Sequence, residues 1–264
     1  MALLNSFNSG VAGIKTFSKS LEVIGDNIAN VNSTGFKTSK VTNQDSFIET
    51  MRAPSAANGN AGGLNGMQVG MGSTVASISQ KFTQGALTTT AAPTDLGISG
   101  NGFFKVTDPN NAGIEYYTRA GDFRLDDAGS LVTNGGLLVD GTTAGMFAEV
   151  DSFSIAKDGS ITTYKDGVAT PDAGQIKLYT FANQNGLKRE GANLFSNVSN
   201  AAGEPTLLDS PGISDIIQGT LELSNVDLTQ EFSDLIIAQR AFQANSRVIT
   251  VSDSVMEEVV NLKR

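Results

Sequence analysis

A chain of 264 residues with no Cys, no His and no Trp has already given up disulfides, thiolate catalysis, imidazole bases and Cys- or His-ligated metals. Acidic side chains outnumber basic ones 27 to 18, for a net charge of −9, and generic nucleic-acid binding needs the opposite balance of clustered Lys and Arg. Gly is frequent at 29 residues and charged residues make up only 17%, which suits a turn-rich β protein or an assembling one better than a highly solvated monomer.

At the front, Met1 to Phe7 lacks a basic stretch followed by a continuous apolar one, so no cleaved signal peptide is expected. No run approaches the roughly 18 apolar residues that span a bilayer. A 3-4 spacing passes through Leu4, Phe7, Val11, Ile14, Ser18, Leu21, Gly25 and Ile28. Such spacing keeps apolar side chains on one seam of a helix that faces a partner, and small Ser18 and Gly25 permit close approach. Asp26 to Lys37 ends that helix in Asn, Ser and Gly residues suited to left-handed backbone. A short polar strand follows, and 53–66, poor in apolar groups, reads as a flexible connector.

The middle holds most of the Gly, all the Pro and most of the acidity. Strand-length runs at Val75–Ser79, Gly102–Val106, Tyr116–Arg119, Asp122–Leu125 and Ser130–Thr133 are separated by turn residues such as Asp126 to Gly129. Phe153–Ile155 and Ser160–Tyr164 flank Asp158-Gly159, a hairpin signal, and Gln175–Phe181 alternates as one more strand.

The last segment, 221–264, has neither Gly nor Pro and reads as one helix. Its seam runs through Leu228, Phe232, Leu235, Gln239, Phe242, Ser246 and Ile249, and a second row through Val248, Ser252, Val255, Val259 and Leu262. Asp227 or Thr229 supplies the cap. The expected fold is α+β: discontinuous terminal helices, 1–35 and 221–264, pairing as a coiled coil, an extended connector over 36–69, and a Gly-rich all-β middle domain over 70–220. The plainer alternative makes both helices core elements of one globular domain.

Candidate chemistry is thin. Asp108 to Gly113 has the beginning of a calcium loop, but Ala112 and Arg119 stand where ligands belong. Gly100-Asn101-Gly102 opens like a phosphate loop, yet Lys105 replaces the third Gly and a strand follows. Asp126, Asp127, Asp151 and Asp158 all sit in turns, where Asp serves the backbone; a glycosidase would need two carboxylates about 5–10 Å apart in a cleft. Lys37 and Lys40 lie near Ser33 and Ser39, but a solvated strand edge is expected there, with no burial to lower a Lys pKa. No catalytic, metal or cofactor residue is expected.

Two segments are more distinctive. One is Asp26 to Lys37, with Asn27, Ala29, Asn30, Asn32, Gly35 and Phe36; the other runs from Gln218 through Ser224, Asn225, Val226 and Asp227 to Gln239, Arg240 and Ser246. Both resemble the signature ends of the bacterial flagellar rod and hook axial proteins, with Asp26 replacing one Asn and Phe242 the common Tyr. Gln68–Gly72, Phe82–Leu87, Asp95–Phe104 and Tyr117–Phe123 extend the resemblance almost end to end.

The resemblance implies a structural, non-enzymatic subunit that polymerises helically with copies of itself, its terminal helices lining a tube and its β domain outside. It also implies rod, hook-cap and junction neighbours, and the flagellar type III export apparatus as the route out of the cell. No cofactor, nucleic acid or small-molecule substrate is expected. Within the family, the two ends and Gly66–Gly70 resemble hook subunits, whereas the length resembles distal rod subunits. A short hook subunit in the flagellar hook and basal body is the expectation, with the distal rod second.

Overall fold

The apolar spacing of the opening segment produces a helix of 28 residues, α1 (Ala2–Ala29), and the Gly- and Pro-free end produces one of 34, α2 (Leu228–Asn261). The computed structural model describes residues 2–56, 62–109, 114–143, 145–148, 150–197, 201–208 and 214–262. The chain divides into two compact units, one made of residues 1–29, 39–79 and 227–264, the other of residues 30–38 and 80–226.

The first unit combines α1 and α2 with β1 (Ser39–Asp45), β2 (Ile48–Arg52), β3 (Met67–Gly70) and β4 (Ser73–Gln80). Strand β1 pairs with β4, and β2 pairs antiparallel with β3 from Ile48 opposite Gly70 to Arg52 opposite Met67. Part of the expected connector is therefore strand, and Ser55 bridges Leu64 beyond it; residues 57–61 lie outside the described set. The two helices run antiparallel. Asn27 on α1 lies beside Glu231 on α2, Gly13 beside Asn245, and Gly10 beside Ile249. A Cβ at Gly13 would stand 2.9 Å from the Asn245 side chain and one at Gly10 3.2 Å from Ile249, so it is these two glycines that let the helices close. Nothing lies within 4 Å of a Cβ at Gly25, where the sequence placed the close approach.

Helix α2 starts at Leu228 because the Asp227 carboxylate accepts from the N–H groups of Thr229 (2.9 Å) and Gln230 (3.4 Å), satisfying donors that a first helical turn leaves free. Leu221 and Glu222, expected inside that helix, belong to a strand instead.

The second unit is built from short strands: β5 (Leu87–Thr89), β6 (Leu96–Gly100), β7 (Phe103–Thr107), β8 (Glu115–Thr118), β9 (Arg124–Leu125), β10 (Leu131–Val132), β11 (Leu138–Val139), β12 (Ser152–Ile155), β13 (Ser160–Lys165), β14 (Val168–Gln175), β15 (Leu178–Thr180), β16 (Lys188–Gly191), β17 (Leu194–Ser196), β18 (Thr206–Leu207), β19 (Ser214–Gln218) and β20 (Thr220–Glu222). The largest sheet has the order β16-β17-β8-β7-β11-β10-β9, with β15 joining β7 and β18. Central β7 sorts its side chains by alternation. Phe104 and Val106 enter an aliphatic core with Leu96, Ile98, Phe123 and Ile161, while Phe103 enters an aromatic cluster with Tyr117, Phe181 and Phe195.

Both hairpins read from turn residues form: β9 and β10 close over Asp126–Gly129, and β12 and β13 over Asp158-Gly159, with Gly159 at φ 82°. The Gln175–Phe181 strand does not run through. It breaks after Ile176, whose N–H donates to Gly159 O (2.9 Å) as the last bond in register with β13; from Leu178 the chain pairs with β7 and β18 instead, which separates β14 from β15.

Candidate assembly interface

Small and polar side chains make up the interface between α1 and α2. Gly10, Gly13 and Asn27 are buried on α1, and Glu231, Ala238 and Ser252 on α2; Thr16, also buried, turns to β4 and donates to Ser73 O (3.0 Å). Asn27 anchors one end, accepting from Ser39 N–H (2.9 Å) and donating to Ser39 O (2.9 Å) and to the Glu231 carboxylate (3.2 Å). Burial pushes the Glu231 carboxyl above its ordinary range; the Asn27 amide opposes this, and Asp234 and Asp227 add to it.

Most residues of the apolar seams read from sequence lie to one side of that interface, while Ile249 reaches it beside Gly10. Val11, Ile14, Leu21, Ile28, Leu235, Phe242 and Ile249 are half-buried. Phe7 is 40% exposed, Leu228 40%, Phe232 51% and Leu262 86%, with Val255 and Val259 also exposed; the side chain of Leu4 lies outside the described set. Beside them Ile236, Ile237, Val251 and Val260 are exposed as well. A helix pair with so much unburied aliphatic surface has the character of an interaction site, since a contiguous exposed apolar patch marks a partner surface.

The motif residues of the second unit converge on a buried charge cluster. Glu222 on β20 accepts from Lys37 Nζ (2.6 Å), Arg119 Nη1 (3.1 Å) and the Gly85 N–H (2.8 Å), and all three charged side chains are essentially excluded from solvent. Lys37, expected on a solvated edge, is thus buried. Desolvation pushes its ammonium pKa down, the Arg119 charge adds to this, and Glu222 works against both. The Ser–Lys arrangement does not form, since the Lys37 ammonium is engaged by Glu222 and Thr83 O.

Arg119 also donates to Gly100 O (2.6 Å) and Gly102 O (2.9 Å) and lies over the Phe103 ring. The would-be phosphate loop therefore presents carbonyl oxygens to a cation, the reverse of what a phosphate needs. Gly35, at φ 67°, donates to Glu222 O, and a Cβ there would meet Ala120 N at 2.6 Å. One residue on, Phe36 is buried under the Arg189 guanidinium.

Asn225 binds the segment after α1 to the segment before α2 within this unit. Its side-chain oxygen accepts from Thr38 N–H (2.7 Å) and Thr38 Oγ1 (2.6 Å), and its amide donates to Lys81 O (2.7 Å) and Thr83 O (3.1 Å). Asn30 takes a hydrogen bond from Ser33 and Ser224 one from Val226 N–H. Ala29 closes α1, Val226 is half-buried, and Asn32, Gln239 and Arg240 are exposed.

Glu222 and Arg119 escaped the sequence reading as functional residues. Each sits in a segment that carried the family resemblance, and a Glu between Leu221 and Leu223 in a strand was the available signal: alternation puts it opposite the two Leu, on an inward face.

The other chemical candidates resolve into turns. Asp158 accepts from Ser160, which holds its carboxyl low, while Asp126 accepts from Asp127 N–H and Asp151 from Asp166 N–H; all four turn aspartates are exposed. Most of the calcium-like loop lies outside the described residues. Among the described residues no group of three or more acidic side chains could hold a metal ion, and no helix is long and apolar enough to cross a membrane.

A β-rich unit with a charge-clamped interior, together with a terminal helix pair that leaves aliphatic surface open, has the character of a structural subunit of the axial type. The chain belongs to the flagellar rod and hook family. Residues 7–37 match the flagella basal body rod protein family, 97–163 the D1 domain of the flagellar hook protein FlgE/F/G family, and 217–262 the C-terminal region of the flagellar basal body rod FlgEFG proteins.

Among its relatives, the flagellar basal-body rod protein FlgG of Bacillus subtilis is 42% identical over 270 residues, covering 99% of this chain and all of that protein. The FlgG rod protein of Caulobacter vibrioides is 35% identical over 266, covering 98% and all of it. The flagellar hook protein FlgE of Treponema pallidum is 25% identical over an alignment of 468 residues, covering 99% of this chain and all of that protein.

Proposed function

We propose that this chain is a distal rod subunit of the flagellar basal body, polymerising with copies of itself into a straight section of the axial tube that carries motor torque. The observation that carries it is end-to-end similarity at matched length to proteins named as the basal-body rod protein FlgG. This weighs against the hook reading drawn from the chain ends, since the hook relative aligns only over 468 positions and at lower identity.

Mechanically, the helix pair offers exposed aliphatic surface for neighbouring copies, and the β unit has two apolar clusters of its own that let it act as a rigid body in the tube wall. Export proceeds through the flagellar type III apparatus without a cleaved signal, and rod, hook-cap and junction proteins are the neighbours. The terminal helices pack as coiled coils in the inner wall. No catalytic step enters.

Immunogold labelling of isolated hook–basal bodies tests the placement. Gold between the basal-body rings and the hook is expected. Label along the hook would reinstate the hook reading, and label on neither would remove both.

A further inference from the structure

One face of α1 is turned away from α2 and forms, with β4, a groove of about 540 Å³ lined by Val11, Ala12, Lys15, Lys19, Thr74 and Val75. At 3.6 residues per turn, Gly10, Gly13 and Asn27 fall on one side of α1, and Ala12, Lys15 and Lys19 on the opposite side. The groove is therefore open while α2 is in place. Its floor is apolar and its rim carries two ammonium groups one turn apart. Lys19 is engaged in an exposed 2.5 Å pair with Glu22, an interaction weak enough to be exchanged for another carboxylate.

The complement is found on the far part of α2. Val251, Val255, Val259 and Leu262 share one face of that helix end and all are exposed. Glu258 flanks this stripe on the side away from α1. The stripe, from Val251 to Leu262, and the groove, from Asn8 to Lys19, each extend over about 16 Å. Apolar floor matches apolar stripe, and the rim ammonium groups match the Glu258 carboxylate.

We propose that this groove receives the C-terminal end of α2 from a second copy of the chain, so that each subunit offers a socket on α1 and a plug on α2. The contact is head-to-tail and self-propagating, since socket and plug are different surfaces. It rests on the assembly reading above and names the surfaces that perform it.

The chain has no Cys, so single designed thiols report without ambiguity. A Thr74→Cys variant and a Val259→Cys variant are purified apart, mixed and oxidised during assembly; a cross-linked pair containing one of each is expected. In parallel, Lys15→Glu with Lys19→Glu raises the concentration needed for polymerisation about tenfold, and adding Glu258→Lys recovers most of that loss. Helix content by circular dichroism stays at the wild-type level in all of these. Polymers that form with no mixed cross-link and no response to the reversed charges overturn the groove contact and leave the assembly reading standing. A wild-type chain that stays monomeric at every concentration overturns both.

Discussion

Glu222 holds one negative charge against two buried cations, Lys37 and Arg119, so the three residues are unequal. Removing the only anion leaves two unpaired charges in the interior, and breaking a buried pair in that way costs about 3–5 kcal/mol. Glu222→Gln is expected to destabilise the β unit by that amount. Lys37→Met leaves Glu222 neutralised by Arg119 and forfeits chiefly the hydrogen bond to Thr83 O, about 0.5–1.5 kcal/mol. Urea unfolding of the two variants side by side reads the asymmetry; equal losses would show that the cluster is not charge-limited.

Glu231 makes a pH prediction of definite sign. Its folded-state pKa is raised, by burial first, so the folded unit binds the proton more tightly than the unfolded chain does. The cost of burying the carboxylate is full at neutral pH and is relieved as pH falls through the raised value. Stability of the helical unit should rise as pH drops into that window. Glu231→Gln keeps an acceptor for Asn27, should be the more stable chain at neutral pH, and should flatten the profile. Thermal melts followed by circular dichroism across the acid range check it.

At the scale of elements, the helix pair depends on two absent side chains. Gly13→Leu drives a side chain into Asn245, and overpacking costs about 1–3 kcal/mol. Gly25→Ala meets open space on α1 and should gain about 0.4–1 kcal/mol. The pair of variants separates packing from propensity in one helical melt. The α2 surface divides similarly. Phe232→Asp or Ile237→Asp sits where the chain itself makes little use of the residue, so monomer stability should change by no more than about 0.5 kcal/mol while sedimentation shows the polymer lost. Normal polymers from either variant would remove this face from the assembly.

The same helices show what pattern reading can and cannot reach. Apolar periodicity locates α1 and α2, because any buried or partner-facing helix must repeat near 3.5 residues. Apart from Ile249 it does not find the face on which they meet, which is made of Gly, Asn, Ala, Ser and a carboxylate that score as surface. Close approach and hydrogen bonding, not apolar area, select that face. Asp227 was legible as a cap because the chemistry is local; Leu221 and Glu222 were misread as helix because their strand partner, Leu87–Thr89, is distant in sequence.

For the whole molecule, the two units should differ in resistance to proteolysis. The β unit holds an aliphatic core and an aromatic cluster; the helix pair meets over a polar interface with few large apolar side chains buried. In the free monomer, protease is expected to cut the terminal helices well before the β unit, and polymerisation to protect them, since a helix without apolar packing is marginal in water. Cleavage of both units at one rate, in monomer and polymer alike, would contradict this.

Local and compositional features were legible in the residues alone: the lack of His and Cys chemistry, the two terminal helices, the Asp227 cap, the hairpins over Asp126–Gly129 and Asp158-Gly159, and the motifs that identify the family. Each depends on residue types at fixed short spacing, where propensity and turn geometry act. Folding was needed to show that Lys37, Arg119 and Glu222, far apart in the chain, share one buried site, and that most of the apolar seam lies to one side of the contact between the two helices. Burial is a property of what folds against a residue, and for a Lys at the end of a polar segment no neighbouring residue reports it.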